Sequence, residues 1–212
     1  MTDHNIAHAL RRVAVGQEDK VALVAREAGT WQEWRFRDLL AGSEGFAGLL
    51  EARGVRRGDR VMLMVRPSLA FVCLTFALFR LGAVVILIDP GMGYRNLLRC
   101  IGSVRPDILV GIPAAVGFSH LFRPAFATVR RRIMVTRRFT AAALTGAGGA
   151  VPEGGAAGVD DLAAIIFTTG STGPPKGVQY THGIFHTQLE LIRDYYGIGP
   201  TDVDQPGFPL FG

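Results

Sequence analysis

The sequence predicts an α/β fold, a mostly parallel sheet with helices on both faces, and two observations carry that prediction. Short segments that are apolar apart from the leading Arg60, Arg60 to Val65, Val84 to Ile88 and Ile108 to Val110, alternate with stretches of helical periodicity, Pro67 to Leu81 and Tyr94 to Val104. Strands buried on both faces show no polar alternation, and parallel neighbours need a crossover between them, so this is the pattern of βα layers. The second observation is the punctuation: Pro67 stands at a helix start, and Asp89-Pro90-Gly91 follows a strand as a turn.

The elements before these layers follow by the same rules. Ile6, Leu10 and Val13 share one face of a first helix. Val21 to Arg26 and Trp31 to Phe36 read as a hairpin about Ala28-Gly29. A helix begins near Asp38, buries Leu39, Leu40, Phe46, Ala47 and Leu50, and ends at Gly54 before a turn at Gly58-Asp59. Residues 1–212 read as one domain portion, and 139–159, rich in Ala and Gly and closed by Asp160-Asp161, as a surface loop within it.

Composition excludes several classes. At 212 residues, 49% hydrophobic and 19% charged, the chain is a folded one rather than a disordered one. The start, MTDHNIAHALRRV, lacks a basic stretch followed by an apolar one, so a cytoplasmic location is expected. The apolar run Leu69 to Ile88 approaches a membrane span in length, but Arg80 and Gly82 divide it into a buried helix, a turn and a strand. Cys73 and Cys100 sit among apolar residues without metal spacing and read as core residues. The net charge of +5 permits nucleic-acid binding, and Arg130, Arg131, Arg132, Arg137 and Arg138 form the densest basic cluster. With no interleaved aromatic residues the cluster reads as the solvated rim of a strand, with no specific nucleic-acid partner.

The most informative stretch starts at the buried-strand pattern Leu162 to Phe167 and runs into Thr168-Thr169-Gly170-Ser171-Thr172-Gly173-Pro174-Pro175-Lys176-Gly177-Val178. Glycines let the backbone turn and present N–H groups to an anion, hydroxyls add donors, and a lysine adds a mobile positive charge. Lysine is rare here, found only at Lys20 and Lys176. The spacing is not that of a Walker A loop, because Pro175 precedes the lysine and Gly177 follows it, and it is not that of a GxGxxG loop. His182 opens a helix, Gly183 to Tyr196, either as a site residue or as a local hydrogen-bonding group. Phe185, Tyr195 and Tyr196 are expected to pack that helix on the sheet.

The stretch TTGSTGPPKGV resembles the signature loop of the adenylate-forming superfamily of acyl-CoA synthetases, luciferases and peptide-synthetase adenylation domains. Gly58-Asp59-Arg60-Val61, Leu81-Gly82-Ala83-Val84, Thr181-His182 and Pro209-Leu210-Phe211 resemble further landmarks of that family, and the run from Gly177 to Gly212 is similar to the olefin-pathway β-lactone synthetases. The resemblance implies the incomplete N-terminal domain of an enzyme that joins a fatty or β-hydroxy fatty carboxylate to the α-phosphate of ATP, expelling pyrophosphate with Mg2+ present. It implies that Thr168, Thr169, Gly170, Ser171, Thr172, Gly173, Pro174, Pro175, Lys176 and Gly177 hold the outer phosphates, Lys176 as a clamp on the departing pyrophosphate. No metal ligand is assigned within the chain. Gly212 stands where CoA-forming members carry a histidine or aromatic residue, which weakens CoA as the second partner. The family's later segments lie beyond residue 212, so the chain alone is expected to be inactive and to expose apolar surface. The alternatives are a medium- or long-chain acyl-CoA synthetase and a non-catalytic nucleotide- or partner-binding fragment.

Overall fold

The structure, a computed structural model, describes residues 4–27, 29–146, 155–168 and 175–205. Helix α1 (Ala7–Ala14) leads to strands β1 (Val21–Glu27) and β2 (Thr30–Arg35) and to helix α2 (Phe36–Ala52). The layered part follows as β3 (Arg60–Met64), α3 (Leu69–Arg80), β4 (Val84–Leu87), a 3-10 turn at Pro90–Met92, α4 (Tyr94–Val104), β5 (Ile108–Gly111), α5 (Pro113–Leu121), β6 (Arg131–Met134) and α6 (Arg137–Leu144). Strands β7 (Leu162–Thr168) and β8 (Lys176–Thr181) and helix α7 (His182–Tyr196) complete it. The hairpin β1–β2 is antiparallel; the second sheet has six strands in the order β6-β5-β3-β4-β7-β8, parallel from β6 to β7, with β8 antiparallel at the edge.

Side chains of a strand point alternately to its two faces, which divides the apolar residues between two cores. Val61, Leu63, Val85, Leu87, Ile108 and Val110 meet α2, α3 and α6 on one face. Met62, Val84, Ile86, Leu109, Ile165 and Phe167 meet α4, Val116 of α5 and Phe126 on the other. The run Leu69 to Ile88 divides as its residues predict, into α3 and β4 with buried Arg80 (6% exposed) held by Glu44 at 3.4 Å. No described helix is long and apolar enough to cross a membrane. Cys73 and Cys100 are free and buried, and burial, with Asp38 adding to it, pushes the Cys73 thiol up to about 12. At the β6 edge the arginines are engaged: Arg130 pairs with Asp59, Arg131 donates to the Arg53 carbonyl, and Arg132 Nε donates to Ser119 Oγ at 2.8 Å.

The structure corrects three expectations. Val13 is 42% exposed although Ile6 and Leu10 are buried, because α1 rests on α2 and α3 along a narrow stripe. Pro67 precedes the helix rather than opening it; Ser68 is the cap, its Oγ accepting the Phe71 N–H at 3.2 Å. Residues 139–144 are not loop but part of α6, capped by Thr136, whose Oγ1 accepts the Phe139 N–H at 3.2 Å. Phe139 then packs on the Phe46 ring at 5.7 Å under the Arg53 guanidinium. Within the rest of 139–159, residues 147–154 lie outside the described residues, and Ala157 is buried with its carbonyl accepting the His4 N–H at 2.9 Å.

Helices α2 and α6 touch backbone to backbone at Gly45, where a Cβ would stand 2.0 Å from the Ala143 carbonyl oxygen. Replacing a mid-helix glycine by alanine normally adds about 1 kcal/mol of helix stability. Here the clash outweighs that gain, and Gly45→Ala is expected to lower the unfolding free energy by about 2 kcal/mol in urea titration; an unchanged or raised stability would show that α6 yields without cost.

Candidate functional site

Strand β7 carries the predicted loop to the C-terminal end of the parallel sheet, and β8 returns from it directly. The two strands pair through Phe167↔Gly177 and Thr168↔Lys176, so both ends of the loop are fixed to one another. Gly177 permits this approach: a Cβ there would lie 3.1 Å from the Phe167 ring and 3.2 Å from Ile165. Lys176 is exposed, and its ammonium takes no part in the hydrogen bonds or ion pairs of the described residues. Lys20, by contrast, donates to the Pro200 carbonyl. Thr169, Gly170, Ser171, Thr172, Gly173 and Pro174 lie outside the described residues, as do Pro209, Leu210 and Phe211.

The same end of the sheet carries a groove that periodicity did not reveal. Strand β3 continues into α3 on one face and its neighbour β4 into α4 on the other, so the chain diverges between them. Open α/β sheets bind ligands at such switch points, outside the C-terminal ends of the strands. Here the crevice is a groove of about 320 Å³ whose walls come from Leu63 and Val65 at the end of β3, Leu87 and Ile88 at the end of β4, and Ile112 and Ala115 just beyond β5. The sequence signal that marks it is Pro67 and Asp89-Pro90-Gly91, the two breaks at which the chain leaves adjacent strands.

His182 lies at the opposite end. Leu162, at the start of β7, pairs with Thr181, so His182 stands roughly 20 Å, a full strand length, from the loop. It is 1% exposed, its Nδ1 accepts the Ile6 N–H at 3.1 Å, and the Phe79 ring lies 6.1 Å away. Through that hydrogen bond it joins the N-terminal segment to α7. The other landmarks gather at the same end: the Gly58 N–H donates to the Gly82 carbonyl at 2.8 Å and the Val84 N–H to the Asp59 carbonyl at 2.9 Å. The Asp59 carboxylate, buried in that turn, accepts the Arg56 N–H at 2.8 Å and pairs with Arg130. Those motifs fix the strand starts.

Phe185 packs as expected, stacked on Tyr180 at 5.1 Å and beside Phe79 at 5.7 Å. Tyr195 and Tyr196 do not: they are 83% and 72% exposed, because every residue of α7 after His186 is exposed and only its first turns meet the sheet. Among the described residues no three His, Cys, Asp or Glu side chains gather as metal ligands.

A parallel sheet with a switch-point crevice and a Gly-, Ser/Thr- and Lys-containing loop on the adjoining strand end defines, as a class, an α/β domain built for a phosphate-bearing ligand. The chain belongs to the AMP-binding enzyme family, whose profile matches residues 10–205. It is 38% identical to the olefin β-lactone synthetase of Xanthomonas campestris pv. campestris over 98% of this chain and 39% of that one. The olefin β-lactone synthetase of Stenotrophomonas maltophilia is 39% identical over 98% of this chain and 40% of its own. The chain thus spans about two fifths of the length of these curated relatives. Among solved structures, ATP-bound MatB from Rhodopseudomonas palustris superposes with a TM-score of 0.77 at 26% identity, covering 100% of this chain and 41% of that one. The N-terminal domain of FACL13 from Mycobacterium tuberculosis shares the fold with a TM-score of 0.77 at 24% identity, covering 100% and 52%.

Replacing His182 by alanine leaves the Ile6 N–H buried without its acceptor, which is expected to cost about 1–3 kcal/mol of stability in denaturant titration. Nucleotide affinity should hold. A His182→Ala variant of normal stability that no longer binds nucleotide would return His182 to the site.

Proposed function

We propose that this chain supplies the phosphate-holding part of an ATP-dependent, adenylate-forming ligase acting on a fatty or β-hydroxy fatty acid. In that reaction the carboxylate oxygen attacks the α-phosphate of ATP, the α–β phosphoanhydride bond breaks, and pyrophosphate leaves with Mg2+ as counter-charge. In the second step the substrate's own β-hydroxyl attacks the activated carbonyl, closing a β-lactone and releasing AMP. The part assigned to this chain is positioning and charge: loop N–H groups and hydroxyls line the outer phosphates, and Lys176 screens the pyrophosphate as charge develops on it.

The observation that carries this reading is the pinned loop. Antiparallel pairing at Thr168↔Lys176 sets an exposed lysine, with no acceptor among the described residues, at the end of the Gly- and Ser/Thr-rich stretch of sequence. The β-hydroxy acid and the lactone rest on the two relatives named olefin β-lactone synthetase. A second reading, a CoA thioester as product, draws on the structural likeness to a Mycobacterium tuberculosis fatty acyl CoA synthetase, with a TM-score of 0.67 at 26% identity over 84% of this chain. The fate of the acyl adenylate separates the two: lactone formed without CoA favours the first, and thioester formation the second. The chain by itself is assigned nucleotide binding without turnover.

Lys176→Ala removes a charge-assisted contact of about 1.5–3 kcal/mol, so ATP affinity of the chain, measured by titration calorimetry, is expected to fall roughly 10- to 100-fold. AMP lacks the β- and γ-phosphates and should bind the variant as it binds the parent. Equal loss for AMP and ATP, or no loss for ATP, would remove Lys176 from the phosphate site.

A further inference from the structure

We infer that the contact between the N-terminal segment and the start of α7 is a pH-sensitive clasp, closed while the His182 ring is neutral and opened when that ring takes up a proton. The inference stands on hydrogen-bond geometry at the strand-start end of the sheet and draws nothing from the proposed function.

The clasp is buried and polar. Asn5, 0% exposed, donates from Nδ2 to the Phe79 carbonyl at 2.9 Å and to the Gly155 carbonyl at 3.1 Å, and its Oδ1 accepts the Ala7 N–H at 3.0 Å. The His4 N–H donates to the Ala157 carbonyl at 2.9 Å, and the His4 carbonyl accepts from His186 Nε2 at 3.0 Å. Amides and carbonyls keep these roles at any pH at which the chain is folded. One bond is different, because the Ile6 N–H donates to His182 Nδ1 at 3.1 Å. A backbone N–H can only donate, so Nδ1 must keep its lone pair, and the ring carries its single proton on Nε2. Protonation turns Nδ1 into a donor that faces a donor. His182 is 1% exposed, so the charged ring is desolvated as well.

The charges near the ring do not offset its own. Arg57 and Asp161 line a cavity of about 170 Å³ together with His182, but they pair with each other at 2.6 Å, and Asp161 also accepts the Gly158 N–H at 2.9 Å. Asp160 is exposed. On α3 the neighbour is Phe79, an uncharged ring 6.1 Å away, and Arg80 beside it pairs with Glu44. The titratable or charged side chains of α1 are His8, Arg11 and Arg12, none of them acidic. His186, one turn along α7, has its ring 6.1 Å from that of His4, and a proton on either adds positive charge to the clasp. Four of the chain's five histidines thus lie in the two segments that meet here, so acid loads both with the same sign.

Lifting residues 4–6 away uncovers His182, and a histidine in water charges near pH 6.5, or about that. Opening therefore takes up one proton below that pH. The clasp is fully held above about pH 6.5, and its opening grows roughly tenfold for each pH unit below it. Ile6, Ala7 and Leu10 pack in the core shared with α2 and α3, so the same proton loosens α1.

The test is amide hydrogen exchange of the whole chain from neutral pH into mild acid, corrected for the intrinsic rate and followed at Ile6 by NMR. Protection at Ile6 is expected to be constant above about pH 6.5 and to fall about tenfold between roughly pH 6 and pH 5, with the amides of β3 and β5 keeping theirs. His182→Asn offers a side-chain oxygen near the place of Nδ1 and cannot charge, so its Ile6 protection should not change over that range. The ring nitrogen shifts of His182 in the unsubstituted chain give a second readout that needs no variant: Nδ1 bare at neutral pH, gaining its proton as Ile6 loses protection. Ile6 protection that persists into acid, an equal fall in His182→Asn, a fall shared by β3 and β5, or a proton on Nδ1 at neutral pH would each overturn the inference.

Discussion

The antiparallel return of β8 against β7 is the constraint on which the rest of the site depends. Every other neighbour in the sheet is parallel and is reached through a crossover, whereas β8 pairs antiparallel with the strand that precedes it in the chain. The pairing brings Thr168 and Lys176, which flank the glycine-rich segment, side by side, and Gly177 allows the close approach to Phe167 and Ile165. The same strand delivers Thr181 and His182 to the far end of the sheet. There Thr181 caps α7, its Oγ1 accepting the Ile184 N–H at 3.2 Å, and His182 accepts the Ile6 N–H. One pairing therefore fixes the two ends of the loop, the start of the helix that follows β8 and the anchorage of the N-terminal segment.

The two ends of the sheet are built differently. At the strand starts, turn meets turn: Gly58 bonds to Gly82, Val84 to Asp59, and Arg57 to Asp161 at 2.6 Å, with Arg60 N–H donating to the Asp107 carboxylate at 2.9 Å. Polar groups there are matched within the protein, as stability requires of buried donors and acceptors. At the strand ends the exposed Lys176 and Arg66 take no part in the hydrogen bonds or ion pairs of the described residues, and Arg66 lines the apolar groove.

The sequence made one of these ends legible and hid much of the other. Strands β3, β4 and β5 and helix α4 fall where apolar runs and helical periodicity put them, because they are buried on both faces or present one apolar stripe. Strand β8 escaped because four of its six residues are exposed and its sequence, KGVQYT, offers only Val178 and Tyr180 as apolar residues. Helices α5 and α6 were hidden by small residues that also serve in loops, although the Thr136 cap marks the second. The loop's chemistry could be read from composition alone, since the need for small residues, hydroxyls and a cation is local. The groove could not: it arises from β3 and β4 sending their helices to opposite faces, and strand order is a tertiary fact. Tyr195 and Tyr196 show the same limit, since periodicity gives a helix its apolar residues without saying where the sheet beneath it stops.

The most direct measurement is amide hydrogen exchange of the chain with and without ATP. The account predicts slowed exchange at the C-terminal end of β7, at the start of β8 and in residues 169–175 between them, with the turns at Gly58 and Gly82 and the segment about His182 unchanged. Protection centred on those turns, or none at the β7–β8 junction under saturating ATP, would contradict the placement of the nucleotide at this end of the sheet.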